Sequence, residues 1–216
     1  MYKFLSLKDH VYQYIAEQIS KEELVPGEKI NENEICRELS ISRTPVREAL
    51  IQLSSEGVLE NVPRKGFIIK QMKETEARQL YEVIGVLDGL AAQLACPKLT
   101  EKHLKDMAFY IDSMELAINS GNYEMYYKQQ EIFHGIYLQE CGNDVLIGVL
   151  SQLKNKFVSK TYALSTDSED KEVLRTTNSE HRVILDLFYK KDSSGLLKYL
   201  QETHWNPELA CTEVTE

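Results

Sequence analysis

The chain's 216 residues and 24.9 kDa exceed one small module, and its 43% hydrophobic and 27% charged residues suit a soluble two-domain protein. No stretch approaches the roughly 20 apolar residues of a membrane span, so no membrane role is expected. The net charge of −9 argues against nucleic acid until it is divided along the chain. Residues 1–72 carry ten basic and eleven acidic side chains, residues 73–216 fifteen and twenty-three, and within 41–72 five basic residues outnumber three acidic ones. The acidity belongs to the second part, which leaves room for a local basic patch in the first. Met1 to Asp9 lack a secretory signal, and Cys36, Cys96, Cys141 and Cys211 form no Cys-x-x-Cys pair. A reduced, cytoplasmic protein is expected.

Val11, Ile15 and Ile19 recur at helical spacing until Leu24-Val25-Pro26-Gly27 closes the segment. Asn31 with Glu34 three residues on reads as the start of a short helix with Ile35 and Leu39 inward, ending near Ser40. Thr44-Pro45 reads as a capping hydroxyl followed by proline at the first helical position, and Val46, Leu50 and Leu53 form the stripe of a third helix up to Gly57. Val58 to Val62 and Phe67 to Lys70 then flank Pro63-Arg64-Lys65-Gly66 as a hairpin. Beyond Met72 about six helices are expected, with breaks near Cys96-Pro97, Ser120-Gly121, Gly142-Asn143, Ser165 to Asp170 and Asp192 to Gly195.

The order of a short helix, a tight turn and a second helix with cations at its start is that of a helix-turn-helix, and the hairpin would be its wing. Arg43 and Arg47 stand where that helix would approach DNA, able to fork onto guanine or to pair with phosphate. The Thr44 backbone amide and Lys65 at the wing tip can reach phosphate, and Gly66 lets the tip come close. The run Ser42-Arg43-Thr44-Pro45-Val46-Arg47-Glu48-Ala49-Leu50, with Arg64-Lys65-Gly66-Phe67 and the upstream Pro26 to Ile30, resembles the GntR family of bacterial transcription regulators across nearly all of residues 8–70. The resemblance implies DNA contacts by Arg43, Thr44, Arg47, Lys65 and Gly66. It also marks Asn33 as a departure, since relatives are often basic there and a phosphate contact would be weaker.

In the second part three histidines interrupt apolar stripes. His134 follows Tyr123, Tyr127 and Gln130; His181 shares a face with Ile184, Leu185 and Phe188; His204 follows Leu197 and Leu200. Any one of them alone reads as a hydrogen-bonded core residue, but three from separate helices favour a shared site, and inward imidazoles in a bundle can hold Zn, Ni, Mn or Fe. His10 and His103 lie beside their stripes.

Phe133-His134, Cys141-Gly142-Asn143, Glu180-His181-Arg182 and Leu200 to His204 resemble the FCD effector domain of the FadR branch over about residues 75–205. That resemblance implies a divalent metal held by an Asp and three His. The Asp position is Gln130 here, so the chain offers His134, His181 and His204 with Gln130 or water, and Gln130 and Tyr127 are candidate effector contacts. Ile84 stands where relatives often carry an arginine that holds an effector carboxylate.

The expected architecture is mainly α: a winged helix-turn-helix domain over residues 1–72, then an all-helical ligand-sensing and dimerisation bundle over 73–216. The expected function is a transcription regulator, a repressor in the favoured reading, that binds operator DNA as a homodimer and senses a small metabolite, an organic acid, at a divalent metal. Two alternatives stand beside it: a constitutive DNA-binding regulator with a degenerate sensor, and a metal-dependent enzyme in the bundle. No general base or nucleophile motif is visible on the histidine faces, so an enzyme is not expected.

Overall fold

Three helices and a hairpin open the chain as the periodicity predicts. The structure is a computed structural model that describes residues 6–20, 23–24, 27–55, 57–70, 72–154, 156 and 168–213. Helix α1 (Leu7–Ser20) buries Val11 and Ile15, and α2 (Glu32–Leu39) buries Ile35. The Asn31 side chain accepts hydrogen bonds from the amides of Asn33 and Glu34 and so caps α2, while Ser40 takes the left-handed conformation that ends it. The Glu34 carboxylate faces Arg37 at 3.8 Å.

Helix α3 (Arg43–Ser55) turns Val46, Ala49, Leu50 and Leu53 into the core. It opens at Arg43, one residue before the expected start, so Thr44 lies inside the first turn and is not the cap. Pro45 is tolerated there because first-turn amides have no intrahelical acceptor.

Strands β1 (Leu59–Val62) and β2 (Gly66–Ile69) pair antiparallel, with Leu59 opposite Ile69 and Val62 opposite Gly66. Gly66 therefore belongs to the strand, and Pro63-Arg64-Lys65 form the tip, closed by the Lys65 amide donating to the Val62 carbonyl at 3.1 Å. The segment before α2 adds itself to β2. Lys29 bridges Ile68, the Ile30 amide donates to the Phe67 carbonyl at 2.8 Å, and the Gly27 amide donates to the Ile69 carbonyl at 2.9 Å. This pairing is tertiary in origin, since residues 27–30 show no alternation of their own. Val11, Ile15, Val46, Leu50, Leu53, Phe67 and Ile69 fill one core between the helices and the hairpin.

Every element described in the second part is a helix: α4 (Glu74–Ala95), α5 (Glu101–Ser120), α6 (Tyr123–Glu140), α7 (Asp144–Lys154), α8 (Ser168–Tyr189) and α9 (Ser193–Tyr199), a π turn (Leu200–His204) and a 3₁₀ helix (Pro207–Glu213). Thr100, Asn122 and Asp192 cap α5, α6 and α9 through their side chains at expected breaks. His103 completes a capping box with Thr100, which accounts for its place off the apolar stripe.

Helix α5 packs on α6 and α8, while α4 packs on α6, α9, the π turn and the 3₁₀ helix. Gly89 permits the close approach of α4 to α9, because a Cβ there would stand 2.8 Å from the Leu197 carbonyl oxygen. Val25, Pro26, residues 165–167 and the side chains of Ile19 and Cys211, all named in the sequence reading, lie outside what is described.

The chain divides into two compact units between Met72 and Lys73, and a short piece around Lys154 and Lys156 falls with the first. That piece departs from a single cut along the sequence. Among the described residues no helix is long and apolar enough to cross a membrane.

Candidate functional site

In the first unit, amphipathicity orients α3: with Val46 and Leu50 buried, Arg43, Thr44 and Arg47 stand exposed on its opening turns. The Arg43 guanidinium donates from Nη2 to the Asn33 side-chain oxygen at 2.6 Å. Asn33 thus orients a neighbouring cation from the first turn of α2. Arg64 and Lys65 are exposed at the hairpin tip, where Arg64 adopts a positive φ of 67°. Gly66, at φ 91°, is half-buried, and a Cβ on it would lie 3.6 Å from Lys29 Cε. Lys29 is a further cation beside the wing, not marked by the local sequence because its segment joins β2 only in three dimensions. These exposed cations on a helix start and a hairpin tip suit phosphate and base-edge contacts.

In the second unit the three histidines converge. His134 comes from α6, His181 from α8 and His204 from the end of the π turn, 4%, 0% and 8% exposed, and a ligating nitrogen of each lies within 4.8 Å of the others. His134 Nε2 and His181 Nε2 are 3.2 Å apart. Two nitrogens bound to one tetrahedral ion at 2.0–2.1 Å stand about 3.3 Å apart, so this spacing fits a pair of ligands.

Hydrogen bonding decides which nitrogen of His134 carries the proton. The Tyr137 hydroxyl donates to Asp88 Oδ1 at 2.8 Å, so its oxygen accepts from His134 Nδ1–H at 2.7 Å and the Nε2 lone pair is left toward His181. His204 Nδ1–H donates to Glu180 Oε2 at 2.8 Å, which leaves Nε2 as the basic nitrogen of that ring too. Desolvation and the neighbouring Asp88 carboxylate push the Tyr137 phenol well above its usual range, which keeps it a neutral donor. The donor set and its spacing fit a divalent cation of borderline softness.

The structure adds a carboxylate from a helix that carries no histidine: Asp88 is fully buried on α4, 3.5 Å from His134 Nδ1, and also accepts from the Trp205 indole N–H at 2.8 Å. Asp88 reaches His134 through the Tyr137 hydroxyl, whereas Glu180 accepts from the His204 ring directly. The signal was present: Asp88 falls on the buried stripe of Ala77, Tyr81, Ile84, Ala91 and Ala95, the one charged residue in it. Glu180 precedes His181, and Tyr137 stands one turn after His134. Trp205 becomes a neighbour only because the π turn carries the chain back over α4, with its ring 5.1 Å edge-on from Tyr81.

The α6 stripe is also amended. Its buried residues are Tyr126, Phe133, His134 and Tyr137, whereas Tyr123, Tyr127 and Gln130 are only half-buried along its flank. A helix at 3.6 residues per turn offers two adjacent rows with the same spacing, and aromatic volume selects the row through 126, 133 and 137. Tyr127 packs edge-on against Tyr126 at 5.2 Å. Gln130 lies one turn before His134 on the same side. Ile84 is fully buried.

Comparison with known proteins agrees with both units. The gntR family of bacterial regulatory proteins matches residues 7–69 and the FCD domain residues 79–202. The Nta operon transcriptional regulator of Aminobacter aminovorans is 40% identical over 131 residues, which span 61% of this chain and 62% of that protein. The HTH-type transcriptional regulator YdhC of Bacillus subtilis is 24% identical over 197 residues, 90% of this chain and 86% of its own. The solved structure of Escherichia coli McbR/YncC shares the fold with a TM-score of 0.78 at 22% identity, over 96% of this chain and 97% of that one. With one family match at the helix-turn-helix and another over most of the helical unit, the chain belongs to the GntR family of bacterial regulatory proteins and carries an FCD domain.

Proposed function

We propose that the protein is a cytoplasmic, operator-binding transcription regulator, a repressor rather than an enzyme, whose helical unit binds a small organic acid at a divalent metal. The convergence of His134, His181 and His204, with two rings fixed to point Nε2 inward, carries the metal part of this reading. Zn, Ni, Mn or Fe would be held by these three, with Gln130 or water beside them and Tyr127 as an effector contact. When bound, the ion supplies an anchoring point for an anionic group. Relatives' arginine is replaced by buried Ile84, so the effector's acid group has no guanidinium at that position and depends on the ion.

Arg43, Thr44, Arg47, Lys65 and Gly66 would read the operator, assisted by Lys29. A homodimer presents two recognition helices to a palindromic site, and joining two weak half-sites supplies affinity that one near-neutral module lacks. Phe109 and Leu116 are 64% and 68% exposed and lie two turns apart on α5, two apolar side chains that self-association could cover. The effector would act by binding one arrangement of the dimer better than the other.

The test is operator titration of metal-loaded protein with and without small carboxylic acids. Release of DNA by an acid that requires the histidines supports the reading. Operator affinity unchanged by every acid shown to bind contradicts the coupling.

A further inference from the structure

Two carboxylates stand behind the histidine cluster, and neither occupies the position of the family's metal-ligating Asp, which is Gln130 here. Asp88 holds its two oxygens toward the Tyr137 hydroxyl and the Trp205 indole, and reaches His134 through Tyr137. Glu180, with its side chain 12% exposed, accepts from His204. Burying carboxylates this deeply is costly unless positive charge or strong donors answer them, and an ion at the three Nε2 atoms would do so.

We infer that Asp88 and Glu180 are outer carboxylates of the metal centre. They fix the Nε2 atoms of His134 and His204 toward the ion and supply, from behind the rings, the negative charge that Gln130 does not. The inference rests on the reading that the three histidines hold a divalent cation. Carboxylates behind metal-bound imidazoles set ring orientation and raise ligand basicity. Because both sit outside the coordination sphere, the groups that touch the ion are neutral imidazoles and an amide or water.

The experiment is zinc affinity of the full chain, measured by competition with a chromophoric chelator. Trp205, the single tryptophan, gives a second readout, since its indole bonds Asp88 and its ring lies 5.6 Å from His204. Asp88→Asn is expected to weaken zinc binding by about 10–100-fold, with Glu180→Gln in the same direction. Gln130→Asp placed in the Asp88→Asn background is expected to recover at least about tenfold, because it returns the missing charge to the coordination sphere. A purely structural Asp88 would not be rescued this way.

Wild-type affinity in both single variants, or loss in Asp88→Asn with no recovery on Gln130→Asp, overturns the inference. Should Asp88→Asn not fold, Glu180→Gln and Tyr137→Phe decide: wild-type affinity in both overturns it, and weakened binding in either upholds it. A wild-type protein that takes up no zinc, nickel or manganese is a different result. It overturns the metal reading itself, and this inference with it.

Discussion

The Arg43 guanidinium donates to the Asn33 side-chain oxygen at 2.6 Å, tying the opening of α3 to the first turn of α2. A residue that is neutral where relatives are often basic thus orients a cation from its neighbour. Asn33→Ala is expected to weaken operator binding less than Arg43→Ala or Arg47→Ala, each of which should cost about 1–3 kcal/mol if it contacts a base. Fluorescence anisotropy at fixed salt measures this. An Asn33→Ala loss equal to that of Arg43→Ala would show that Asn33 contacts DNA itself.

Lys65 at the hairpin tip is exposed and suits phosphate rather than a base. Lys65→Ala should lower affinity to a similar extent for operator and unrelated DNA, and should reduce the slope of log affinity against log salt by about 1. A loss confined to the operator would make Lys65 a sequence reader.

Gly89 lets α4 and α9 meet, with a Cβ there due to stand 2.8 Å from the Leu197 carbonyl oxygen and 3.0 Å from its Cδ1. Backbone cannot yield as a side-chain tip can. Gly89→Ala should destabilise the helical unit by about 1–3 kcal/mol, lowering Tm by several degrees in a thermal melt. Unchanged Tm would mean that the helices separate at little cost.

Tyr137 is pushed above the ordinary phenol range by burial, and then by the charge of Asp88 and the bond to it. A group whose pKa is raised on folding contributes stability that is present below its unfolded value, near 10, and lost as pH climbs through the folded value. Stability of the wild type should therefore fall with alkaline pH more steeply than that of Tyr137→Phe, by up to about 1.4 kcal/mol per pH unit. Denaturant midpoints at pH 9 and above compare the two, and parallel curves would refute the shift.

Most of the fold was legible because it is local. The stripes Val11–Ile15 and Val46–Leu50–Leu53, the Asn31 cap and the breaks at Gly121 and Asp192 each follow from residues within one or two turns. The pairing of residues 27–30 with β2 was not legible, since it depends on a partner some 40 residues away. At the site, the three histidines stood out as polar residues in apolar stripes. Asp88 carries the same signal, a charged residue in the buried stripe of α4, but its helix holds no histidine and nothing local ties it to the cluster. The place of Trp205 and the pairing of Glu180 with His204 depend on the π turn, which no local periodicity announces.

The central claim is that His134, His181 and His204 hold a metal. Its direct test is elemental analysis of tag-free protein never exposed to a chelator or a nickel column, comparing wild type with a His134→Ala, His181→Ala double variant. Near one equivalent of a divalent transition metal is expected in the wild type and background in the variant. Background metal in both, after zinc, nickel and manganese have each been supplied, would contradict it.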